Sequence, residues 1–213
     1  LGLPAIKSLP GALIASALLV ITALPALAQQ AGGAREDFYR AEIVIVERKV
    51  DPQSVNEHMA SRDVAPVAGL AKQMWVVDAA GNRISSLNLT PRSELTLNTA
   101  ASRLENSGRF RVVAAAGWYQ SFPPNYNGDA MQVAVGDWLA EAGHRDIEGQ
   151  ITINRQRYLH VDVELNHWRP STTAEGAELI TWIRENRRMR SEEVHYLDSP
   201  TIGVLVFFNK VGE

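Results

Sequence analysis

Residues Tyr158 to Trp168 alternate strictly between two faces. Leu159, Val161, Val163 and Leu165 point one way, and Tyr158, His160, Asp162, Glu164, Asn166 and Trp168 point the other. A period of two marks a strand with one core face and one polar face. Such a one-sided strand belongs to an antiparallel sheet. Ile147 to Ile153 precedes it across Asn154 to Arg157, so the pair reads as a β-hairpin.

The rest of the chain fits around that hairpin. Phe38 to Glu47 is rich in β-branched residues and apolar on both faces toward its end, which predicts a central strand. Met74 to Val77 reads as a short strand followed by a turn at Asp78 to Asn82. Phe110 to Gln120, Met131 to Val135 and Leu179 to Arg187 are further strands. Thr201 to Val211 is a continuous apolar run bounded by turn residues, the pattern of a buried strand. The best helix is Ser93 to Ser107. Ser93 can cap it, Glu94 suits its positive end, and Leu97, Ala100, Ala101 and Leu104 fall at helical spacing before Asn106-Ser-Gly108 stops it. Most consecutive strands are joined too briefly for parallel crossovers. The expected fold class is therefore α+β, a mainly antiparallel β-sheet with one main helix packed on a face. Residues 38–213 are expected to form a single domain. Within it, residues 48–92, broken by Pro52, Pro66, Gly69, Gly81 and Pro91, are expected to be irregular cover over the sheet.

Residues 1–28 have the pattern of a cleaved secretory signal: Lys7, an apolar run from Ala12 to Leu24, and Ala26-Leu-Ala28 before Gln29. The competing reading is a transmembrane anchor, but its helix would have to include Pro10, Gly11 and Pro25. Residues 29–37 are small and polar, a flexible lead. With the signal removed and no second hydrophobic span, the product is expected to be exported and free of a stable membrane anchor, with the periplasm as the simplest address. The formal net charge is −3, and loss of Lys7 makes the remainder more acidic. That sign argues against nucleic acid or an anionic membrane as a partner. There is no cysteine, which excludes thiol catalysis, cysteine-ligated metals and a lipidated cysteine.

The densest basic cluster is Arg187, Arg188 and Arg190, followed by His195, Tyr196, Leu197 and Asp198 and punctuated by Pro200. Guanidinium groups bind carboxylates and phosphates bidentately, so this cluster is a candidate binding rim. The bland alternative is a solvated strand end paired with Glu185, Glu192 and Glu193. His195 and Asp198 lack a nearby nucleophile and read as a hydrogen-bonded turn. His160, Asp162 and Glu164 share a strand face, neighbours about 6–7 Å apart, too spread for a compact three-ligand metal site. Trp118 and Trp168 at strand ends are candidates for stacking on sugar faces, set against the usual burial of tryptophan. No nucleophile elbow, Ser-x-x-Lys, His-Glu-x-x-His, phosphate loop or dinucleotide fingerprint occurs. No enzyme class and no cofactor is indicated.

Five blocks of the chain form a recognisable set. The first is the opening strand Tyr39-Arg-Ala-Glu-Ile-Val-Ile-Val-Glu-Arg48, and the second is the helix ending at Leu104 that leads to a strand finishing in Trp118-Tyr-Gln120. Then come Gly149 before the hairpin, the hairpin arm bearing Arg157-Tyr-Leu-His160, and Arg187-Arg-Met-Arg-Ser-Glu-Glu-Val-His-Tyr-Leu-Asp198 followed by Pro200 and Gly203-Val-Leu205. Together these blocks resemble the CsiV family of periplasmic peptidoglycan-binding proteins. The resemblance covers most of the chain except residues 49–92 and the signal. It implies a non-enzymatic role: binding peptidoglycan and supporting a bifunctional, glycan-polymerising penicillin-binding protein, through that enzyme's outer-membrane lipoprotein activator. The candidate contacts with wall or partner are then Arg187, Arg188, Arg190, His195, Tyr196, Trp118 and Trp168. The alternatives are a protein-interaction scaffold that pairs an edge strand with a partner, and a wall hydrolase using His160, Asp162 or Glu164.

Overall fold

The computed structural model describes residues 37–51, 54–55, 62–171 and 176–211, together with Gly2. The signal reading of residues 1–28 and nearly all of the proposed lead lie outside these residues. Among the described residues the strands are β1 (Phe38–Arg48), β2 (Lys72–Val77), β3 (Arg83–Ile84), β4 (Phe110–Ser121), β5 (Met131–Leu139), β6 (His144–Arg155), β7 (Leu159–Pro170), β8 (Ala177–Met189), β9 (His195–Asp198) and β10 (Ile202–Lys210). Among the same residues one α-helix, α1 (Asn98–Asn106), follows a 3-10 turn at Arg92–Glu94.

The strands form two sheets, ordered β4-β1-β10-β9 and β3-β2-β5-β6-β7-β8. Their inner faces meet in one core. Ala41, Ile43 and Ile45 of β1 and Val204, Val206 and Phe208 of β10 pack with Val133 and Val135 of β5, Ile147 and Ile151 of β6, and Val161, Val163 and Leu165 of β7. The α+β, mainly antiparallel reading holds, with one exception: β2 runs parallel to β5. β1 is central, paired on one side with β4 and on the other with β10, as its two apolar faces require. Its outward side chains Val44 and Val46 pack with Ala101 and Leu97 against α1, so the helix covers the outer face of the four-stranded sheet.

The helix start differs from expectation. Ser93 lies in the 3-10 turn and caps nothing; no side chain of the N-cap residue Leu97 caps α1 either. The anchor comes from the sheet below. Glu42 of β1, fully buried, accepts the backbone N–H groups of Thr96 at 3.0 Å and Leu97 at 2.9 Å, and pairs with Arg40 at 2.8 Å. An anion at the positive end of a helix does electrostatically what a capping hydroxyl does locally.

Between residues 48 and 92 the expected short strand and turn are present. Asp78 N–H donates to Asn82 O, and Gly81 N–H to Asp78 O. The irregular segment ahead of β2 lies over the outer face of the six-stranded sheet, where Val67 N–H donates to Glu148 at 2.6 Å and Leu70 N–H to Gln132 at 3.1 Å. His195 to Asp198 is a correction: it is not a turn but the edge strand β9. The turn begins one residue later, with Ser199 N–H donating to Ile202 O at 2.9 Å. In a strand, positions three apart face opposite sides, so Asp198 pairs with Arg48 and not with His195.

Candidate functional site

The alternation that marked β7 also builds its outer face. Across the register, Gln150 opposes Glu164, Thr152 opposes Asp162 and Asn154 opposes His160; on the other side Glu164 opposes Arg184, Asp162 opposes Asn186 and His160 opposes Arg188. Residues that face each other across strands share a sheet face. The result is a field of polar side chains over three strands. It is partly self-satisfied: Gln150 Nε2 donates to Glu164 at 2.8 Å.

Two aromatic rings lie along this face, each backed by arginine. The Arg188 guanidinium sits 4.7 Å from the centroid of Tyr158, and that of Arg157 sits 5.5 Å from it. The Arg184 guanidinium sits 4.9 Å from the ring of Trp182. Tyr158 is 41% exposed. From Trp182 to Arg188 the strand rises on the order of 20 Å. A face of that length, lined with hydrogen-bonding groups, aromatic rings and cations, can lie along an extended polymer that carries hydroxyls and carboxylates.

Clefts flank both ends of this face. One of about 530 Å³ opens at the edge between β8 and β9, lined by Arg48, Trp182, Arg184, Glu185, Asp198 and Pro200 among others. Arg48 Nε there is buried without a hydrogen-bond partner, although Nη2 reaches Asp198 at 2.5 Å and the Tyr196 hydroxyl at 3.2 Å. The other cleft, of about 310 Å³, is lined by Arg155, Arg157, Tyr158 and Arg190.

The three arginines of the basic cluster separate. Arg188 belongs to the polar face. Arg187, one residue earlier, points to the opposite side, where it closes the sandwich edge: Nη1 donates to Tyr196 O at 2.7 Å and Nη2 pairs with Glu185 at 2.5 Å. Arg190 stands exposed at the strand end with Glu193 at 3.5 Å. His195 accepts the Arg190 N–H at its Nε2, 3.0 Å away. Tyr196 packs against Gly203. Burial pushes its hydroxyl pKa up. Trp118 and Trp168 leave no face for a sugar. They are 2% and 7% exposed, and their indole N–H groups are spent on Gln120 and on the buried Glu148. The sequence analysis missed Tyr158 with its arginine partners, and Trp182 with Arg184, as platforms; the signal was present in the same alternation.

A second cluster escaped the sequence analysis. Where β1 and β7 end, their inward positions finish in Glu47 and His167. Arg111 of β4 bridges Glu47 at 2.6 Å and Asp137 at 2.7 Å, and lies 3.7 Å from Asp146. The Arg111 hydrogen bonds hold the Asp137 carboxyl below its usual range. Burial, against a backbone hydrogen bond from Asp137, raises Asp146 to about 7. Burial and the Arg111 charge lower His167 to about 4, so its imidazole is neutral near pH 7. Alternation carried one step past Leu165 already places His167 on the buried face.

No helix among the described residues is long and apolar enough to cross a membrane. Fold and face together define a β-sandwich with a broad polar surface. A family model described as peptidoglycan-binding protein, CsiV, matches residues 13–211. The chain belongs to this CsiV family of peptidoglycan-binding proteins. No curated protein and no solved structure matches it.

Proposed function

We propose that the protein is a non-enzymatic periplasmic accessory that holds peptidoglycan on the outer face of β6, β7 and β8 and supports wall synthesis by a bifunctional penicillin-binding protein with its lipoprotein activator. The observation that carries the binding face is Tyr158 between Arg157 and Arg188, in line with Trp182 and Arg184 on the same face. Aromatic rings stack on glycan faces, and arginine forks take the carboxylates of stem peptides. Arg188, Arg157 and Arg184 are the cations of this reading, with Arg190 at its margin. Arg187, His195 and Tyr196 hold the edge that frames it.

The test is cosedimentation of the protein with purified sacculi, with the supernatant assayed for released muropeptides. The expected outcome is pelleting without release, and loss of pelleting in Tyr158→Ala/Arg188→Ala with the fold intact. Release of muropeptides would identify a hydrolase instead. Partner capture without pelleting would identify a scaffold. Pull-down with the synthase and its activator, with and without sacculi, tests the partnership.

A further inference from the structure

Glu47, Asp146 and His167 come from three strands, β1, β6 and β7, and from both sheets. One donor atom from each lies within 4.8 Å of the others. Each side chain has its other atom already fixed. Glu47 Oε2 is held by Arg111 Nε at 2.6 Å. Asp146 Oδ1 accepts the Asp137 N–H at 2.8 Å. His167 Nδ1 is bonded to Thr201 Oγ1 at 2.7 Å, and that hydroxyl to Thr181 Oγ1 at 2.6 Å. That leaves Glu47 Oε1, His167 Nε2 and Asp146 Oδ2, the last with Arg111 Nη2 3.7 Å away.

His167 supplies the nitrogen. The residue is 5% exposed and lines a cleft with Glu47 and Asp146, and its Nε2 lies 3.9 Å from Glu47 Oε1, beyond hydrogen-bonding range. Imidazole and carboxylates held by partners on their far atoms are the arrangement in which metal ligands are found. Arg111 does not fill the role itself. Its guanidinium is engaged by Glu47 Oε2 and by both oxygens of Asp137. The cluster borders a cleft of about 310 Å³ lined also by Trp138 and Arg169, which gives an ion and its water an entry.

We propose that Glu47, Asp146 and His167 bind a divalent transition-metal ion of the Zn²⁺ type, one nitrogen and two oxygens from the protein with water completing the shell. Small side-chain rotations bring the donors to the roughly 2.0–2.2 Å that zinc takes from nitrogen and carboxylate oxygen. Because Glu47 sits on one sheet and Asp146 and His167 on the other, the ion fastens the two sheets together at this end. The role is separate from the polar face of β6 to β8.

The probe is Zn²⁺ alone. The full chain, stripped with chelator, is titrated with zinc chloride by calorimetry, and its thermal midpoint is read with and without the ion. One ion per chain and a raised midpoint are expected. His167→Gln and Glu47→Gln each weaken binding by more than about tenfold, while His195→Gln on the far edge leaves it unchanged. If those ligand variants fail to fold, Co²⁺ absorption of the wild-type chain decides. An intense visible band of four- or five-coordinate cobalt supports the site, and the pale spectrum of hydrated cobalt overturns it. No saturable heat, or binding untouched by His167→Gln, overturns it as well.

Discussion

Glu42 and Leu97, distant in sequence, meet at 2.9 Å: a carboxylate buried in β1 accepts the backbone N–H at the mouth of α1. Thr96 N–H and Arg40 bind the same carboxylate. The helix is thus tied to the central strand of its sheet. Removing the anion strands two N–H donors and a guanidinium. Glu42→Ala is expected to cost about 3–5 kcal/mol. Glu42→Gln keeps an acceptor and should cost about 1–2 kcal/mol. Urea unfolding measures both, and a Glu42→Gln variant as stable as the wild type would show that the charge is irrelevant.

Gly149 takes a φ of +145°, and a Cβ there would sit 2.1 Å from Glu164 O on the neighbouring strand. Backbone cannot swing aside as a side chain can. Gly149→Ala is expected to destabilise by about 2–4 kcal/mol. A loss below about 0.5 kcal/mol in thermal unfolding would refute this close approach.

Arg187 and Arg188 are adjacent but should behave oppositely. Arg188→Ala removes the cation over Tyr158, so it weakens binding to sacculi several-fold with stability within about 0.5 kcal/mol of wild type. Arg187→Ala removes the bond to Tyr196 O, so it costs about 1 kcal/mol and leaves binding unchanged. Cosedimentation and denaturation of the two variants side by side test the division. Reversed effects would move the binding face to the sandwich edge.

Burial holds the Tyr196 hydroxyl above the ordinary tyrosine range, with Asp198 adding to the effect and Arg48 opposing it. The folded state therefore disfavours tyrosinate more than the unfolded state does. The contribution to stability is complete below the unfolded pKa of about 10 and declines as pH rises through and beyond it. Tyr196→Phe should flatten the alkaline limb of the stability curve. An unaltered limb would place the alkaline loss elsewhere.

Most of the strands were legible because one buried face imposes a period of two, and Tyr158 to Trp168 shows it cleanly. The helix was legible in its packing residues but not in its start. The anion that anchors it is supplied by Glu42, which no local window contains. The parallel pairing of β2 with β5 was equally hidden, because it depends on which distant strand lies alongside. The basic cluster read as one rim because its arginines are neighbours in sequence. Extending the strand to Met189 would have put Arg187 and Arg188 on opposite faces. Trp118 and Trp168 sit at strand ends, yet they are covered by neighbouring segments that periodicity does not reveal.

Strand β8 borders its sheet, paired only with β7, and is the longest strand among the described residues. A long open border invites a second chain to dock along it, the first step toward insoluble clumping. Its outward positions carry Arg184 and Arg188, with Arg190 just beyond the strand end. Two copies approaching along it would bring these like charges together before any backbone bond formed. The groups proposed to hold the wall thus also discourage the protein from polymerising with itself.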